Sequence, residues 1–318
     1  MLFFSVISTI FPIFILIALG YITMYLGLFK KEVSDALMSL STKLLLPLLL
    51  FQTLSVANLT LNNPLPLWVG YYSSVLIVFS LGTLIALFVM RKNAPEAIVG
   101  GVASAYGNTG FMGIPLITSL FGRDGLIPMA LISAIQLPLI MITSVALMSI
   151  IGNGTSKTSF RTMLTDTSSK LLTNPIIIAT VLGALWSLAG FKMPNFLSNT
   201  LDLLADAATP IALLSVGMIM VNYGIRGTLV GATVFSLLKL LLMPFTVYFF
   251  TAHVFDMSSL WVSVATIAAA LPTGVNSIMF ANMFNANKAT TTNTITLTSI
   301  TIVFSIFFWL CFLKVKGF

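Results

Sequence analysis

Residues 106–116 read Tyr-Gly-Asn-Thr-Gly-Phe-Met-Gly-Ile-Pro-Leu, and they interrupt a hydrophobic span that runs from about Ala97 to Phe121. Residues 270–276, Ala-Leu-Pro-Thr-Gly-Val-Asn, interrupt another span near the other end of the chain in the same way. Hydrocarbon offers the backbone no hydrogen-bond partners, so a broken helix is tolerated only where protein buries it or where it lines a cavity. Two such spans in matching halves of a chain indicate the binding site of a transport protein.

The composition is typical of a protein that crosses the membrane many times. Of the 318 residues, 58% are hydrophobic and only 7% are charged, whereas a soluble domain carries about 25% charged residues. The net charge of +7 comes from basic residues scattered singly and in pairs, so no nucleic-acid partner is expected. With one cysteine, Cys311, and one histidine, His253, we expect no disulfide framework and no metal site. No nucleophile–base pair falls within the spans, so we expect neither catalytic residues nor a cofactor.

A membrane-spanning helix needs roughly 20 mostly apolar residues, and the sequence predicts an all-α protein with ten such spans. They cover residues 4–27, 34–57, 66–90, 97–121, 126–151, 174–191, 199–222, 228–251, 259–284 and 290–313. Residues 152–173 are rich in Ser and Thr, and they are predicted to form a cytoplasmic linker between a first half, 1–151, and a second half, 174–318.

The basic residues between the spans predict the orientation, because cytoplasmic loops are enriched in Lys and Arg. If the N-terminus is outside, nine basic residues face the cytoplasm: Lys30, Lys31, Arg91, Lys92, Lys157, Arg161, Lys170, Arg226 and Lys288. Four face outward: Arg123, Lys192, Lys314 and Lys316. The excess predicts that both termini lie on the outer side of the cell membrane.

The two halves share a pattern of prolines and glycines. At an offset of 163 positions, Pro12, Gly20, Gly27 and Pro47 recur as Pro175, Gly183, Gly190 and Pro210. At an offset of 164, Thr109 and Gly110 recur as Thr273 and Gly274. Five spans per half is an odd number, so the second copy enters the membrane from the opposite side. The pattern therefore predicts two inverted repeats with a binding site near the midplane of the bilayer, where they meet.

The interrupted spans supply the first candidate site residues. The N-terminal end of each half-helix carries roughly half a positive charge and presents unpaired N–H groups, which suits a carboxylate. Asn108 and Asn276 can donate hydrogen bonds there without the cost of a buried charge, and Thr109 and Thr273 lie near them in the sequence. The alternative is that these residues only kink packed helices and that each asparagine bonds a neighbouring backbone carbonyl.

Three ionisable residues lie well inside the spans, where such residues are functional candidates by default. Lys43 and Asp206 each lie four residues before a repeat-related proline, Pro47 and Pro210, so they occupy equivalent positions. They are predicted to approach each other or the substrate, either as a structural ion pair or as part of transport. Lys239, near the middle of the eighth span, is expected to attract an anionic substrate, to replace a coupling cation, or to bind carbonyls freed by a broken helix.

Several segments resemble those of the auxin efflux carrier family. Residues 107–116, Gly-Asn-Thr-Gly-Phe-Met-Gly-Ile-Pro-Leu, and residues 269–274, Ala-Ala-Leu-Pro-Thr-Gly, resemble its two crossover motifs. Residues 47–51, Pro-Leu-Leu-Leu-Phe, and 212–217, Ala-Leu-Leu-Ser-Val-Gly, also resemble family segments. The family includes the plant auxin exporters and many bacterial carboxylate permeases. The resemblance covers all ten spans but not the central loop, which is far shorter here than in the long-loop plant exporters.

The resemblance implies a scaffold of spans one, two, six and seven and a moving transport domain of spans three to five and eight to ten. It also suggests a homodimer through the scaffold, and it implies that Asn108 and the crossover prolines lie at the substrate site. The candidate substrate-binding residues are Asn108, Thr109, Gly110, Pro115, Pro272, Thr273, Gly274 and Asn276.

The sequence thus predicts a secondary transporter of small organic anions, such as malate, malonate or auxin-like acids, that works by alternating access. Two alternatives stay open. One is a sodium-coupled symporter resembling the bile-acid carriers, which use a similar crossed-helix core. The other is a membrane receptor or scaffold that transports nothing.

Overall fold

The structure is a computed structural model, and it describes residues 2–57, 63–152, 173–222, 224–225, 227, 229–286 and 288–318. Most of the predicted linker, residues 153–172, lies outside the described residues. So do four of the basic residues used above for orientation: Lys157, Arg161, Lys170 and Arg226. The expected all-α class is confirmed, since the described residues form helices and contain only one isolated β-bridge and no strand.

Twelve helical segments follow one another along the described chain. They are α1 (Leu2–Tyr25), α2 (Lys31–Val56), α3 (Leu65–Val89), α4 (Ala94–Ala105), α5 (Thr109–Phe121), α6 (Leu126–Ile151), α7 (Pro175–Leu188), α8 (Asn195–Met220), α9 (Val230–Val254), α10 (Ser259–Ala269), α11 (Ser277–Met283) and α12 (Lys288–Lys316). Six of them, α2, α3, α6, α8, α9 and α12, are long and apolar enough to cross a membrane. Shorter apolar helices occur within α1 and at α5, α7 and α10.

Eight of the ten predicted spans coincide with one helix each, and the fourth and ninth coincide with two half-helices each. The fourth divides into α4 and α5 at residues 106–108, and the ninth divides into α10 and α11 at residues 270–276. The two interruptions therefore fall within the two stretches that the sequence singled out.

Three helices contain a widened, π-helical turn two residues before a proline. The turns are Ser41–Leu45 before Pro47, Thr109–Gly113 before Pro115, and Leu238–Leu242 before Pro244. A proline has no N–H, and its ring pushes away the carbonyl four residues earlier, which in each case belongs to the widened turn. Such turns are frequent at functional sites. Two of them hold the intramembrane lysines Lys43 and Lys239.

The helices pack in two sets. In the first set, α1 lies against α8, and α2 lies against both α7 and α8. In the second set, α3 lies against α4, while α9 lies against α10 and α12. The sets meet where α5 contacts α8 and where α6 contacts α7. This boundary is where the site described below lies.

Glycines allow the close contact between α1 and α8. A Cβ atom added at Gly217 of α8 would lie 1.9 Å from the carbonyl oxygen of Ile17, and one added at Gly20 of α1 would lie 2.1 Å from that of Leu214. Non-bonded atoms do not approach so closely, so a larger residue would force the two helices apart. Small residues serve this purpose in membranes because packing, rather than the hydrophobic effect, holds helices together there.

We expect Gly217→Ala to destabilise the α1–α8 contact, because the new methyl group must displace the backbone of Ile17. Overpacking of this kind costs about 1–3 kcal/mol, so the purified protein in detergent should unfold at a lower temperature. Gly224→Ala is the matched control, since nothing lies within 4 Å of the added atom there. Equal unfolding midpoints for the two variants would contradict this packing.

Candidate functional site

Two helices stop in the interior and leave extended chain beyond their ends. α4 ends at Ala105, and α10 ends at Ala269. Pro272 follows the cap of α10 by two residues, and it cannot continue a helix because it has no N–H. The two non-helical segments, residues 106–108 and 270–276, lie against each other, and we call them together the crossover. Gly107 and Thr273 form an antiparallel bridge at its centre.

The two segments of the crossover exchange backbone hydrogen bonds. The N–H of Asn108 donates to the carbonyl of Pro272 at 2.9 Å, and the N–H of Gly274 donates to the carbonyl of Tyr106 at 2.9 Å. A Cβ atom added at Gly274 would lie 2.5 Å from the Tyr106 ring, so only glycine allows this approach. Each segment therefore replaces hydrogen bonds that the other lost when its helix ended.

Thr273 holds the crossover against its neighbours. The side chain is fully buried, and its hydroxyl donates to the carbonyl of Ala103 in α4 at 2.7 Å. The N–H of Thr273 donates to Oγ1 of Thr298 in α12 at 3.1 Å. These two bonds tie the second segment to a helix of each half of the chain, which is a structural task.

Two further side chains bind carbonyls at the crossover. Gln136 of α6 donates from Nε2 to the carbonyl of Gly107 at 3.0 Å. Lys239 of α9 is fully buried, and its Nζ donates to the carbonyl of Ala269, the last residue of α10. The C-terminal end of a helix carries a partial negative charge, and the amino group of Lys239 donates to it. Of the three roles expected of Lys239, this contact matches the binding of a carbonyl freed by a broken helix.

A cavity of about 280 Å³ opens beside the crossover. This volume lies near the lower end of the range for small-molecule sites, about 300–1,000 Å³. The lining residues come from α2, α6, the start of α7, and the crossover with the start of α5: Thr42, Lys43, Tyr106, Gly107, Asn108, Thr109, Gly110, Phe111, Ser133, Leu137, Asn174, Pro175, Ile176, Gly274, Val275 and Asn276. Among these residues Lys43 alone carries a charge.

The two asparagines of the cavity do not bind backbone carbonyls. Asn108 is 8% exposed, and its amide makes no hydrogen bond to the part of the chain that the structure describes. Asn276 donates from Nδ2 to the hydroxyl of Tyr106 at 3.3 Å. The geometry thus differs from the alternative in which each asparagine only satisfies a kinked helix.

The start of α5 also contributes residues with unpaired backbone N–H groups to the cavity wall. The first helical donors are Met112 and Gly113, which both bind the carbonyl of Asn108, at 3.3 and 2.9 Å. The N–H groups of residues 109–111 precede them, as do the unpaired donors at the start of any helix. All three residues line the cavity. The cavity wall therefore contains donors and the positive end of a helix dipole.

The candidate residues from the sequence fall into two groups in the structure. Six of them line the cavity: Lys43, Asn108, Thr109, Gly110, Gly274 and Asn276. Pro115, Pro272 and Thr273 are buried in or next to the crossover and are not part of the cavity wall. Lys239 lies behind the crossover, as described above.

Asp206 lies outside the cavity wall. It was predicted to approach Lys43 or the substrate, and the ion pair with Lys43 is absent from the described residues. Arg123, between α5 and α6, contacts Asp202 at 2.6 Å and Asp206 at 3.4 Å. Gln52 of α2 also donates to Asp202, at 3.2 Å. The hydrogen bond to Asp202 raises the pKa of the Arg123 guanidinium, which therefore stays charged. Arg123 binds the α8 carboxylates from a loop. Repeat symmetry had related only residues inside the spans.

Sequence reasoning did not assign roles to Gln136, Tyr106 or Thr298. Gln136 had a signal, because an isolated glutamine two residues before Pro138 in an apolar span needs a polar partner. Tyr106 stood at the head of the first interrupted stretch, where its hydroxyl now orients Asn276. Thr298 had none, because it is one of many threonines in α12.

Comparisons with known proteins find similarity to membrane transport proteins over nearly the whole chain. The model of a family described as "Membrane transport protein" matches residues 5–310. A protein of Rhizobium meliloti (strain 1021) named "Putative malonate transporter" is 28% identical over 294 residues, covering 92% of this chain and 90% of that protein. "Auxin efflux carrier component 8" of Arabidopsis thaliana is 24% identical, covering 89% of this chain and 90% of that protein. An "Uncharacterized transporter" of Methanothermobacter thermautotrophicus is 26% identical, covering 88% of this chain and 89% of that protein.

We expect Thr273→Val to destabilise the ligand-free protein, because it removes the hydroxyl that binds the Ala103 carbonyl. A buried polar group left without its partner costs about 1–3 kcal/mol, and thermal unfolding in detergent measures the loss. Thr273→Ser keeps the hydroxyl and is the control. If the valine and serine variants unfold at the same temperature, the hydroxyl does not hold the crossover together.

Proposed function

We propose that this chain, which belongs to the auxin efflux carrier family of membrane transport proteins, carries small organic anions across the cell membrane by alternating access. One observation carries the proposal. Most carbonyls of the crossover are bound by donors from within the protein, whereas residues 109–111, whose N–H groups start α5, and the Asn108 amide, unpaired in the described chain, line the cavity. The site therefore offers donors to a guest, and a carboxylate is the guest that accepts from them most strongly.

The bound carbonyls lie at the crossover and at the ends of the two helices that it interrupts. Their donors are backbone N–H groups, hydroxyls, an amide and an ammonium group, and the carbonyls belong to Ala103, Tyr106, Gly107, Ala269, Ala270 and Pro272. Acceptors at helix C-termini would otherwise attract a cation. Because they are occupied, the start of α5 with its N–H groups determines the sign of the field at the cavity. This favours an anion over a cation as the transported species.

The packing supports a division into a scaffold and a moving domain. We assign the scaffold to α1, α2, α7 and α8, and the transport domain to α3–α6 and α9–α12. The cavity has α2 and α7 on one side and the crossover and α6 on the other. Displacement of the crossover along α2 and α7 would open the cavity to each side of the membrane in turn. A homodimer through the scaffold completes this assignment.

The contacts also favour the inverted-repeat architecture. The pair α1–α8 in the first set has a counterpart in α7–α2, and the pair α3–α4 has a counterpart in α9–α10. These pairs are exchanged when the first five predicted spans are exchanged with the last five. We therefore propose ten spans in two inverted repeats, joined by the predicted cytoplasmic linker, with both termini on the outer side.

The names of two relatives suggest the substrate class. One relative is named for malonate and another for auxin, and both are carboxylic acids. The small volume and the donors of the cavity suit a compact carboxylate such as malonate or malate.

We expect Asn108→Ala and Asn276→Ala each to weaken carboxylate binding, because each removes a side-chain donor from the cavity wall. A hydrogen bond to a charged group contributes about 1.5–3 kcal/mol, so Kd should rise about tenfold or more. The measurement is the thermal shift that malonate, malate and indole acids produce in purified protein, followed by uptake of the best ligand into proteoliposomes. Without ligand, the free energy of unfolding should change by no more than about 1 kcal/mol.

Asn282→Ala is the matched control, because Asn282 lies on α11 but is exposed and outside the cavity wall. Equal ligand shifts in all three variants and the wild type would remove Asn108 and Asn276 from the site. A protein that binds carboxylates but takes none into proteoliposomes would instead be the receptor or scaffold alternative.

Uptake is expected to be independent of a sodium gradient, because Lys239 already occupies the carbonyl at the end of α10 that a coupling cation would otherwise bind. The measurement compares initial uptake rates in proteoliposomes with an inward gradient of sodium or of potassium. Stimulation of several-fold by sodium alone would favour the sodium-coupled symporter.

A further inference from the structure

Lys43 is a charged residue inside α2 that has no partner in the described chain. Its side chain is exposed, and it is the one charged residue that lines the cavity. Within the residues described, the ion pairs join Lys92 to Glu96 and Arg123 to Asp202 and Asp206, and none includes Lys43. A lone cation in a membrane span is costly, and such residues usually face a water-filled cavity or a partner. An anion in the cavity would supply the missing charge.

The backbone around Lys43 points to the same use. The residue lies in the widened turn Ser41–Leu45, which precedes Pro47. Proline removes the donor that the Lys43 carbonyl would have bound in a regular helix. The equivalent turn in α9 holds Lys239, whose charge is bound to a carbonyl. The lysine of α2 has no such carbonyl, so its charge is available to a guest.

The cavity has a second electropositive region, which does not belong to α2. It consists of the N-terminal end of α5 and the amide of Asn108, which is more than nine-tenths buried, lines the cavity and is unpaired in the described chain. The two regions belong to different walls: Lys43 comes from the proposed scaffold and Asn108 from the crossover. A guest with one carboxylate can occupy one region, whereas a guest with two can occupy both.

We infer that Lys43 determines specificity by binding the second carboxylate of a short dicarboxylate whose first carboxylate lies at the crossover. The inference rests on the proposed function and narrows its substrate class from organic anions to dianions. It also gives α2 a direct contact with the substrate. The bound dianion then bridges the two walls of the cavity, and monocarboxylates bind at the crossover alone.

The test compares malonate with monomethyl malonate, which has nearly the same skeleton and one negative charge fewer. Both compete with labelled malonate for uptake into proteoliposomes, and their binding is read independently by thermal shift on the purified full-length protein. The variants are Lys43→Met, which removes the charge at similar length, Lys43→Arg, which keeps it, and Lys31→Met. Lys31 begins the same helix but lies outside the cavity wall, so its variant is the control.

For Lys43→Met we expect the affinity for malonate to fall about tenfold or more, the usual scale for losing one charged contact. The affinity for the monoester should stay within about twofold. Lys43→Arg should keep the preference for the dianion, and Lys31→Met should match the wild type. Without ligand, Lys43→Met should unfold at the wild-type temperature or above, because an unpaired cation contributes nothing to folding.

Equal losses for malonate and monoester in Lys43→Met would overturn the inference, as would an unchanged preference for malonate. A fall in the unfolding temperature of ligand-free Lys43→Met would show a structural lysine and would also overturn it. These outcomes leave the proposed function standing as long as ligand binding still depends on Asn108. If the wild type neither binds nor transports any carboxylate, both the proposed function and this inference fail.

Discussion

Backbone hydrogen bonding between two interrupted helices is the constraint on which the rest of this structure depends. Each peptide group left unpaired in hydrocarbon is destabilising by several kcal/mol, so neither α4 nor α10 could end in the interior alone. The bridge between Gly107 and Thr273 solves the problem for both. The close approach that it needs is possible because Gly274 has no side chain to collide with Tyr106. The glycines and prolines of the two stretches are thus two halves of one structural feature.

At the crossover, carbonyl groups are hydrogen-bonded more completely than N–H groups. This difference makes the electrostatic potential of the site positive. Carbonyls at the ends of α4 and α10 receive hydrogen bonds from Thr273, Gln136 and Lys239. The residues whose N–H groups start α5 line the cavity instead. Unpaired donors and the positive end of a helix dipole therefore belong to the cavity wall, while most acceptors are bound within the protein. A site of this kind suits a negatively charged guest without placing an acidic or basic residue at the crossover itself.

Prolines contribute to the site in a second way, through the turns that precede them. The widened turns in α2, α5 and α9 each come two residues before a proline. The turn in α2 lies in the cavity wall, and the turn in α5 lies next to the crossover. The turn in α9 lies behind the crossover. Each turn also frees carbonyls that a regular helix would occupy. The same local rule thus appears at three positions around one site.

The sequence by itself determined the all-helical class, the two interrupted segments and the family, because each of these follows from local chemistry. Apolar length predicts helices, and glycine with proline predicts where a helix must stop. The motifs that carried the resemblance contain four of the six candidate residues that line the cavity, and the interrupted stretch 270–276 adds a fifth, Asn276. The sixth, Lys43, was found because a charge inside an apolar span is conspicuous.

Only the tertiary structure decided what each polar group touches. Lys43 and Lys239 look alike in sequence, since each precedes a proline inside a span, yet one faces a cavity and the other binds the carbonyl of Ala269. Repeat symmetry predicted that Asp206 approaches Lys43 or the substrate, whereas in the structure it contacts Arg123, which lies in a loop. Hydrogen bonds and ion pairs act over about 3–4 Å, whereas a sequence pattern places a side chain only to within a helix face. Partner choice is therefore settled by how the helices pack.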